Sequence, residues 1–205
     1  SPFDITVNLV DYYFNVLTAT TTLPESFMPT AHVATDDPYD THPANRQLIN
    51  GSTVFTVTLI TAQQTGGNAV FVGSLTVTDS DGSGTTYTQD KTANIVVNPG
   101  NVQKLLMLVP GTTHYPGYVA VDGRQGTPDV QFAGVPFNVS VRGVDGYWNK
   151  VSTATSITFT VENGANASFA PGTQPLAGGE AIWSSMILKT AKSSPGWQMT
   201  ATAGV

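Results

Sequence analysis

Alternating oxygen-bearing side chains give the segment 79–84 the spacing of a calcium-binding loop. Asp79, Asp81 and Ser83 stand at alternate positions, and carboxylate and hydroxyl oxygens are ligands that Ca²⁺ accepts. An EF-hand loop ends with a glutamate at its twelfth position, where this chain has Asp90. A plain turn between two strands is therefore the favoured interpretation, and a weak calcium site is the alternative.

The remaining titratable side chains do not form a known catalytic motif. A second acidic segment, Asp36–Asp40, lies among turn-forming residues, so we expect a solvated loop there. A glycosidase needs two carboxylates in one cleft, and a zinc site needs clustered ligands. The histidines and glutamates are instead scattered along the chain: His32, His42, His114, Glu25, Glu162 and Glu180. We therefore predict a protein that is not an enzyme and has no cofactor.

Aromatic side chains are the candidates for stacking on a ligand such as a sugar ring. At alternating strand positions aromatic rings are more typical of a core, because each buries roughly 150–250 Å². On this basis we expect Trp183 and Trp197 in the core. Tyr12 and Tyr147 lie at the edges of predicted turns and are the better candidates for a surface that binds a ligand.

Composition excludes several classes of protein. Charged residues make up only 11%, against about 25% in soluble domains, which suits an extracellular protein with an uncharged polar surface. The net charge is −6 with 8 Lys and Arg residues, so a nucleic-acid partner is not expected. No apolar run approaches the ~20 residues of a membrane span. The chain has no cysteine, which excludes disulfides, cysteine-ligated zinc and a cysteine nucleophile.

An internal repeat runs through the chain. The sequence PFDITVNLVDYYFNVLTA at 2–19 matches PFNVSVRGVDGYWNKVSTA at 136–154, and matched residues are offset by 134 positions. A second block, TVTLITA at 56–62, matches SMILKTA at 185–191 with an offset of 129. The change in offset predicts about five extra residues in the first copy. We place them in the turn-rich segment 34–47.

Strand-like alternation fills both copies. In the second copy Phe137, Val139 and Val141 alternate with polar residues, which is the period-2 pattern of a half-buried strand. Prolines (13) and glycines (20) separate the runs, as turns require. The sequence predicts an all-β protein with domains at 1–98 and 102–205, joined by a short turn.

One turn motif occurs in both copies. Asp11 and Asp145 each end a predicted strand and are followed four positions later by Asn15 and Asn149. An Asp side chain there can accept backbone N–H bonds in an Asx turn, and asparagine tolerates left-handed backbone angles. We interpret the motif as a structural turn, with a calcium-ligand role as the alternative.

The segment VDGYWNKV at 144–151 resembles the V-x-D-x-x-G-N-P-V turn of bacterial immunoglobulin-like repeats, as found in invasin- and intimin-type adhesins. The segments VNPGNVQKLLMLVPG and GTPDVQFAGVPFNVSV extend the resemblance. The chain departs from that pattern at 12–14 and 147–148, where aromatic residues replace small ones. The resemblance implies two tandem immunoglobulin-like β-sandwiches of a bacterial protein that is secreted or on the cell surface.

The two copies differ at their ends. The second copy has KLLMLVPG ahead of its PFNVSV strand, whereas the first begins at PFDITV. The first copy has TANIVVNPG as its final strand, whereas the second ends at WQMTATAGV. We therefore expect the first domain to lack its first strand and the second to lack its last. A sheet without its first strand has an open edge.

Two hypotheses about function follow. The first is a structural repeat of a stalk, filament or adhesion protein, whose partners are neighbouring immunoglobulin-like repeats of the same or adjacent chains. The alternative is an immunoglobulin-like module that binds a surface carbohydrate or a protein. Three or more solvent-facing rings on one face would favour binding, and rings that all point inward would favour the structural role.

Overall fold

The computed structural model is all-β, as predicted. It describes residues 1–21, 24, 28–62, 74–81, 87–93, 95–162, 166–168 and 172–204. The chain forms two compact units, Ser1–Val97 and Asn98–Val205, here called unit 1 and unit 2. A single short 3-10 helix, Val119–Val121, occurs among the described residues.

Unit 1 contains two antiparallel sheets. One pairs β1 (Phe3–Asn8) with β4 (Ser52–Val57). The other has the order β3-β2-β5-β6, formed by β2 (Thr30–Thr35), β3 (Arg46–Gln47), β5 (Leu75–Asp79) and β6 (Asp90–Lys91). Alternate residues of β1 and β4 point towards residues of β2 and β5 in one hydrophobic core, which includes Phe55, Val57, Val33 and Leu75.

Unit 2 contains two larger antiparallel sheets and one hairpin. The sheet order β12-β14-β10-β7 involves β7 (Lys104–Leu108), β10 (Phe137–Val144), β12 (Ala167–Ser168) and β14 (Glu180–Leu188). The order β13-β11-β15 involves β11 (Ser156–Val161), β13 (Thr173–Pro175) and β15 (Met199–Ala203). Strands β8 (Thr112–His114) and β9 (Arg124–Gly126) form the separate hairpin.

The core of unit 2 lies between its two larger sheets. Trp183 of β14 and Phe159 of β11 are both 1% exposed, and their ring centroids are 5.0 Å apart. Trp183 therefore lies in the core, as expected. Trp197 does not: it is half-buried, Lys192 Nζ lies 4.6 Å from its ring centroid, and its Nε1 donates to Thr190 O. The prediction for Trp197 was wrong because a preceding turn, and not the sheet, surrounds it.

Several strand pairs of the two units correspond, and the register of β10–β14 differs from that of β1–β4 by a β-bulge between Phe137 and Val139. Phe3 is opposite Val57 in unit 1, and Phe137 is opposite Met186 in unit 2. The β2–β5 pair likewise corresponds to β11–β15, and β2–β3 to β11–β13. Irregular contacts also recur: Leu9 N donates to Gly51 O, as Gly143 N donates to Gly179 O. Several strand pairs of unit 1 therefore have a counterpart in unit 2.

The extra residues of the first copy lie elsewhere than predicted. Twelve residues separate Leu17 from Thr30, the start of β2, whereas four separate the equivalent Val151 from Ser156. Between β2 and β3 the first copy is the shorter one, with ten residues against eleven between β11 and β13. The placement at 34–47 was wrong because a single change in offset cannot separate an insertion from a compensating deletion.

The two units differ at one edge of each sheet. In unit 2, β10 has β14 on one side and β7 on the other. In unit 1 the equivalent β1 pairs with β4 alone among the described residues. Conversely, β5 of unit 1 pairs with β6, and no described strand occupies that side of β15 in unit 2. The described part of unit 1 therefore has an open edge at β1.

Candidate functional site

The turn after β1 is closed by Asp11. Its Oδ1 accepts the backbone N–H groups of Tyr13 and Asn15 at 2.8 and 2.9 Å. The Asn15 side-chain amide donates to both carboxylate oxygens, at 3.3 and 3.0 Å. These hydrogen bonds, first that of the Asn15 side chain, hold the pKa of Asp11 below its ordinary value.

Asp145 closes the equivalent turn of unit 2 with the same bonds and one more. Oδ1 accepts the N–H groups of Tyr147 and Asn149, both at 2.9 Å, and the Asn149 amide reaches both oxygens. In addition, Oδ2 accepts the N–H of Gly100 at 2.8 Å. Because N–H groups fill most acceptor positions of the carboxylate, few positions remain for a calcium ion, and the turn suits a structural role.

The left-handed residues of these turns are aromatic. Phe14 has φ 63° and Trp148 has φ 66°, whereas neither Asn15 nor Asn149 has a positive φ. The expectation that asparagine supplies the left-handed position was wrong by one residue. The asparagines act through their side-chain amides, and the residue before each one takes the left-handed conformation.

Unit 2 covers its turn with the segment Asn98–Gly126. Lys104 Nζ donates to Gly146 O and lies 4.3 Å from the centroid of the Trp148 ring. Gly117 N donates to Tyr147 O, and a Cβ at Gly123 would lie 2.3 Å from Trp148 Cβ. Gly123, at φ +63°, therefore permits an approach that a side chain would prevent.

A small polar network holds this cover in place. His114 of β8 is 2.6 Å through Nε2 from Trp148 O and 3.0 Å through Nδ1 from Arg142 Nη1. Arg142 also forms an ion pair with Glu180 at 2.9 Å. Burial lowers the pKa of His114, and the nearby Arg142 charge lowers it further. The neutral ring can then donate to the carbonyl and accept from the guanidinium.

In unit 1 the equivalent turn is uncovered. Tyr12, Tyr13 and Phe14 are 87%, 79% and 84% exposed, and the first two rings meet edge to face at 5.3 Å. Tyr147, the counterpart of Tyr13 in unit 2, is 48% exposed. The structure therefore brings three solvent-facing rings together on one turn. Of these, the sequence analysis preferred Tyr12 over Tyr13 and Phe14 as a surface ring.

The predicted acidic loop at 79–83 is used for internal hydrogen bonds where it is described. Asp79 Oδ1 accepts Asp81 N at 3.2 Å, and Asp81 Oδ2 accepts Thr30 N at 3.1 Å. Ser83 lies outside the described residues. Across the described ranges, no three His, Cys, Asp or Glu side chains are grouped as a metal site. A calcium site here stays a prediction.

The acidic segment Asp36–Asp40 is only in part the solvated loop that was expected, because Asp36 is exposed and Asp37 is buried. Asp37 is 1% exposed, and its carboxylate accepts from Ile60 N, Thr61 N and Thr61 Oγ1 at 2.6–2.8 Å. Burial would raise the pKa of Asp36, but bonds from the N–H and hydroxyl of Ser74 outweigh it and leave that pKa below its ordinary value. Asp37 and Asp36 thus accept hydrogen bonds from residues 60–61 and from residue 74, and no local sequence pattern indicates these distant contacts.

No protein-family model matches the chain, and no curated protein matches it. Among solved structures it is similar to the apo structure of beta-glucuronidase 3 from Bacteroides uniformis, at 9% identity and a TM-score of 0.32. That match covers 86% of this chain and 21% of the glucuronidase chain. So low a score carries no argument about fold or activity. No described helix has the length and hydropathy of a membrane span.

Proposed function

We propose that the chain is a pair of tandem immunoglobulin-like β-sandwich repeats that form a structural, non-enzymatic part of an extracellular surface, stalk or filament protein, where they support adhesion. The observation that supports this most is the correspondence of three strand pairs between the two units, with a register that differs between β1–β4 and β10–β14 by one β-bulge. The order β12-β14-β10-β7 also follows the D-E-B-A neighbour order of an immunoglobulin-type sheet. Each unit also buries its own hydrophobic core, as a domain in a chain of tandem domains does.

The proposed partners are neighbouring repeats, and the proposed location is secreted or at the cell surface. A chain with 11% charged residues and no cysteine agrees with an extracellular repeat that depends on packing alone. Polar groups that the sequence analysis treated as candidate ligands, such as Asp145 and Asp81, are used for hydrogen bonds inside the fold. This use supports a structural role for them.

Engineered cysteines test the repeat directly, because the natural chain has none. Thr6 is opposite Val54 in unit 1, and the equivalent Ser140 is opposite Ile182 in unit 2. Opposed strand residues lie within the Cα separation that a disulfide needs. We expect both double-cysteine variants to oxidise to a similar extent, measured by the mobility of non-reduced protein.

The matched control for that experiment pairs Thr6 with Thr56, two positions out of register. It should oxidise much more slowly, since diagonal neighbours are further apart. Equal oxidation of the control, or oxidation in one unit alone, would contradict the repeat. The non-enzymatic part of the proposal is tested separately with chromogenic glycosides, including a glucuronide, where we expect no release of chromophore above a heat-denatured control.

The second candidate function is a binding module, and the exposed rings Tyr12, Tyr13 and Phe14 favour it. Rings that project from a turn can stack on a sugar or anchor a protein. A glycan array with the Tyr12→Ser variant as the comparison tests the carbohydrate form of this idea. Phe132, which is 72% exposed elsewhere, provides the control Phe132→Ser. A glycan signal lost in the first variant and kept in the second would favour this function.

A further inference from the structure

Unit 2 contains an occupant on the surface that unit 1 leaves open. Strand β7 pairs antiparallel with β10, from Leu108 opposite Ser140 to Lys104 opposite Val144. Ahead of β7, Gln103 N donates to Val144 O. The occupant is therefore held by a ladder of main-chain hydrogen bonds that continues past the end of β10.

Unit 1 has equivalent main-chain and side-chain acceptors, and no described strand pairs with them. Val10 is the counterpart of Val144, and among the described residues no backbone N–H donates to its carbonyl. Asp11 Oδ2 accepts only the Asn15 amide in the described part of the chain, whereas Asp145 Oδ2 also accepts Gly100 N. The turn and strand of unit 1 thus have acceptors at the positions that unit 2 fills.

The apolar surface shows the same difference. Val144 is fully buried together with Leu106 and Leu108 of β7, and Trp148 packs against this cluster. The unit 1 counterparts are Val10, which is 39% exposed, and Phe14, which is 84% exposed. An apolar patch next to an unpaired strand is typical of a site that another polypeptide strand covers.

We propose that β1, Val10 and the ring turn Tyr12–Phe14, here called the open-edge surface, bind an extended polypeptide segment with the chemistry of Asn98–Gly126. The segment adds antiparallel to β1, with leucine side chains on both of its faces and a lysine over the aromatic turn. Strand addition to a sheet edge is an established mode of recognition. The inference deepens the proposed function, on which it rests, because it identifies the partner as the first strand and hairpin of a repeat of this kind.

A polypeptide fits the open-edge surface better than a glycan does. The edge of β1 presents alternating main-chain donors and acceptors, which only another extended strand can match in register. The ring turn directly follows this edge. In unit 2 the equivalent Trp148 follows β10, and Lys104 Nζ lies over its ring. The bias towards a lysine-bearing segment also agrees with the chain's net charge of −6.

The test uses the full chain and a synthetic peptide with the sequence 98–126. Hydrogen–deuterium exchange is followed separately in segments 3–10 and 137–144. In the free chain we expect faster exchange in 3–10, because β10 is paired on both sides and β1 on one. Added peptide should slow exchange in 3–10 and leave 137–144 unchanged.

Two variants make the test specific. Phe14→Gly removes the exposed ring at a left-handed position that glycine accepts readily, so the fold is retained while peptide affinity falls about tenfold. Phe132→Ser removes an equally exposed ring outside the open-edge surface and should leave the affinity unchanged. A peptide carrying Leu106→Asp and Leu108→Asp should also lose at least about tenfold.

Each other result overturns the proposal. No slowing in 3–10, or slowing that Phe14→Gly leaves intact, shows that the surface does not take such a strand. Slowing confined to 137–144 shows exchange with the chain's own β7. Protection of 3–10 without peptide, together with dimerisation, assigns the surface to a second copy. If the engineered disulfides form in both units while the peptide fails to bind, the proposal of strand addition to β1 is refuted and the proposal of tandem repeats is retained.

Discussion

Replacing Asp145 with alanine removes the acceptor at the centre of the covered turn of unit 2. Its carboxylate accepts three backbone N–H groups, those of Gly100, Tyr147 and Asn149, at 2.8–2.9 Å, and Asp145 is 3% exposed. A buried donor left without an acceptor costs about 1–3 kcal/mol. Allowing for partial relaxation, we expect Asp145→Ala to lower the free energy of unfolding of unit 2 by on the order of 3–5 kcal/mol.

The matched variant is Asp11→Ala in unit 1. Its carboxylate accepts the equivalent N–H groups of Tyr13 and Asn15, but the three ring residues of that turn are largely exposed. Water can replace the lost acceptor there, so we expect a clearly smaller loss of stability. The pair of variants therefore isolates the effect of burial on one and the same hydrogen-bonded turn.

Urea unfolding monitored by tryptophan fluorescence measures the first loss. All three tryptophans of the chain, Trp148, Trp183 and Trp197, lie in unit 2, so their signal reports that unit alone. A shift of the midpoint at constant slope gives the change in stability. Hydrogen exchange in strand β1 measures the second. Equal losses of stability in the two variants would show that burial by the segment Asn98–Gly126 is not the cause of the larger loss expected for Asp145→Ala.

Four further outcomes are expected. The pKa of His114 is lowered by burial and by Arg142, with Lys150 and Glu180 also nearby. The stability that neutral His114 contributes is therefore complete above about pH 6.5 and is lost as the pH falls through the lowered pKa. The urea midpoint of unit 2 should drop between pH 7.5 and 5, and it should drop less in His114→Gln. The lowered pKa of Asp36 predicts that unit 1 loses stability as the pH falls below about 4, and Asp36→Asn should flatten that dependence in exchange measurements. Phe14→Gly should leave the stability of unit 1 unchanged or raise it by up to about 1 kcal/mol, because the ring is exposed at a positive φ. Trp148→Gly should instead destabilise unit 2 by about 2–3 kcal/mol through lost packing. The melting temperature should be the same in millimolar calcium as in a chelator, because Asp79 and Asp81 already accept N–H groups. A higher melting temperature in calcium would establish the calcium site.

Strand content was predictable because it depends on local patterns. Alternation of apolar and polar residues, as in Phe137, Val139 and Val141, indicates a strand wherever it occurs. The offset of 129 between the two shorter blocks is reproduced in the structure by Val57 and Met186, which face equivalent residues. An Asp four positions before an Asn similarly predicts a local turn, because the carboxylate and its donors are neighbours in sequence.

Features that depend on contacts between distant residues were not predictable. Asp37 is buried because Ile60 and Thr61 donate to it from a distant segment, and Trp197 is half-buried because its surroundings are a turn. The two copies of the Asp–Asn motif have similar local sequences and the same local hydrogen bonds, yet Asp145 is buried and Asp11 is only partly buried. The difference comes from packing of the segment Asn98–Gly126 over the second copy, a contact between residues far apart in the chain that local patterns do not encode.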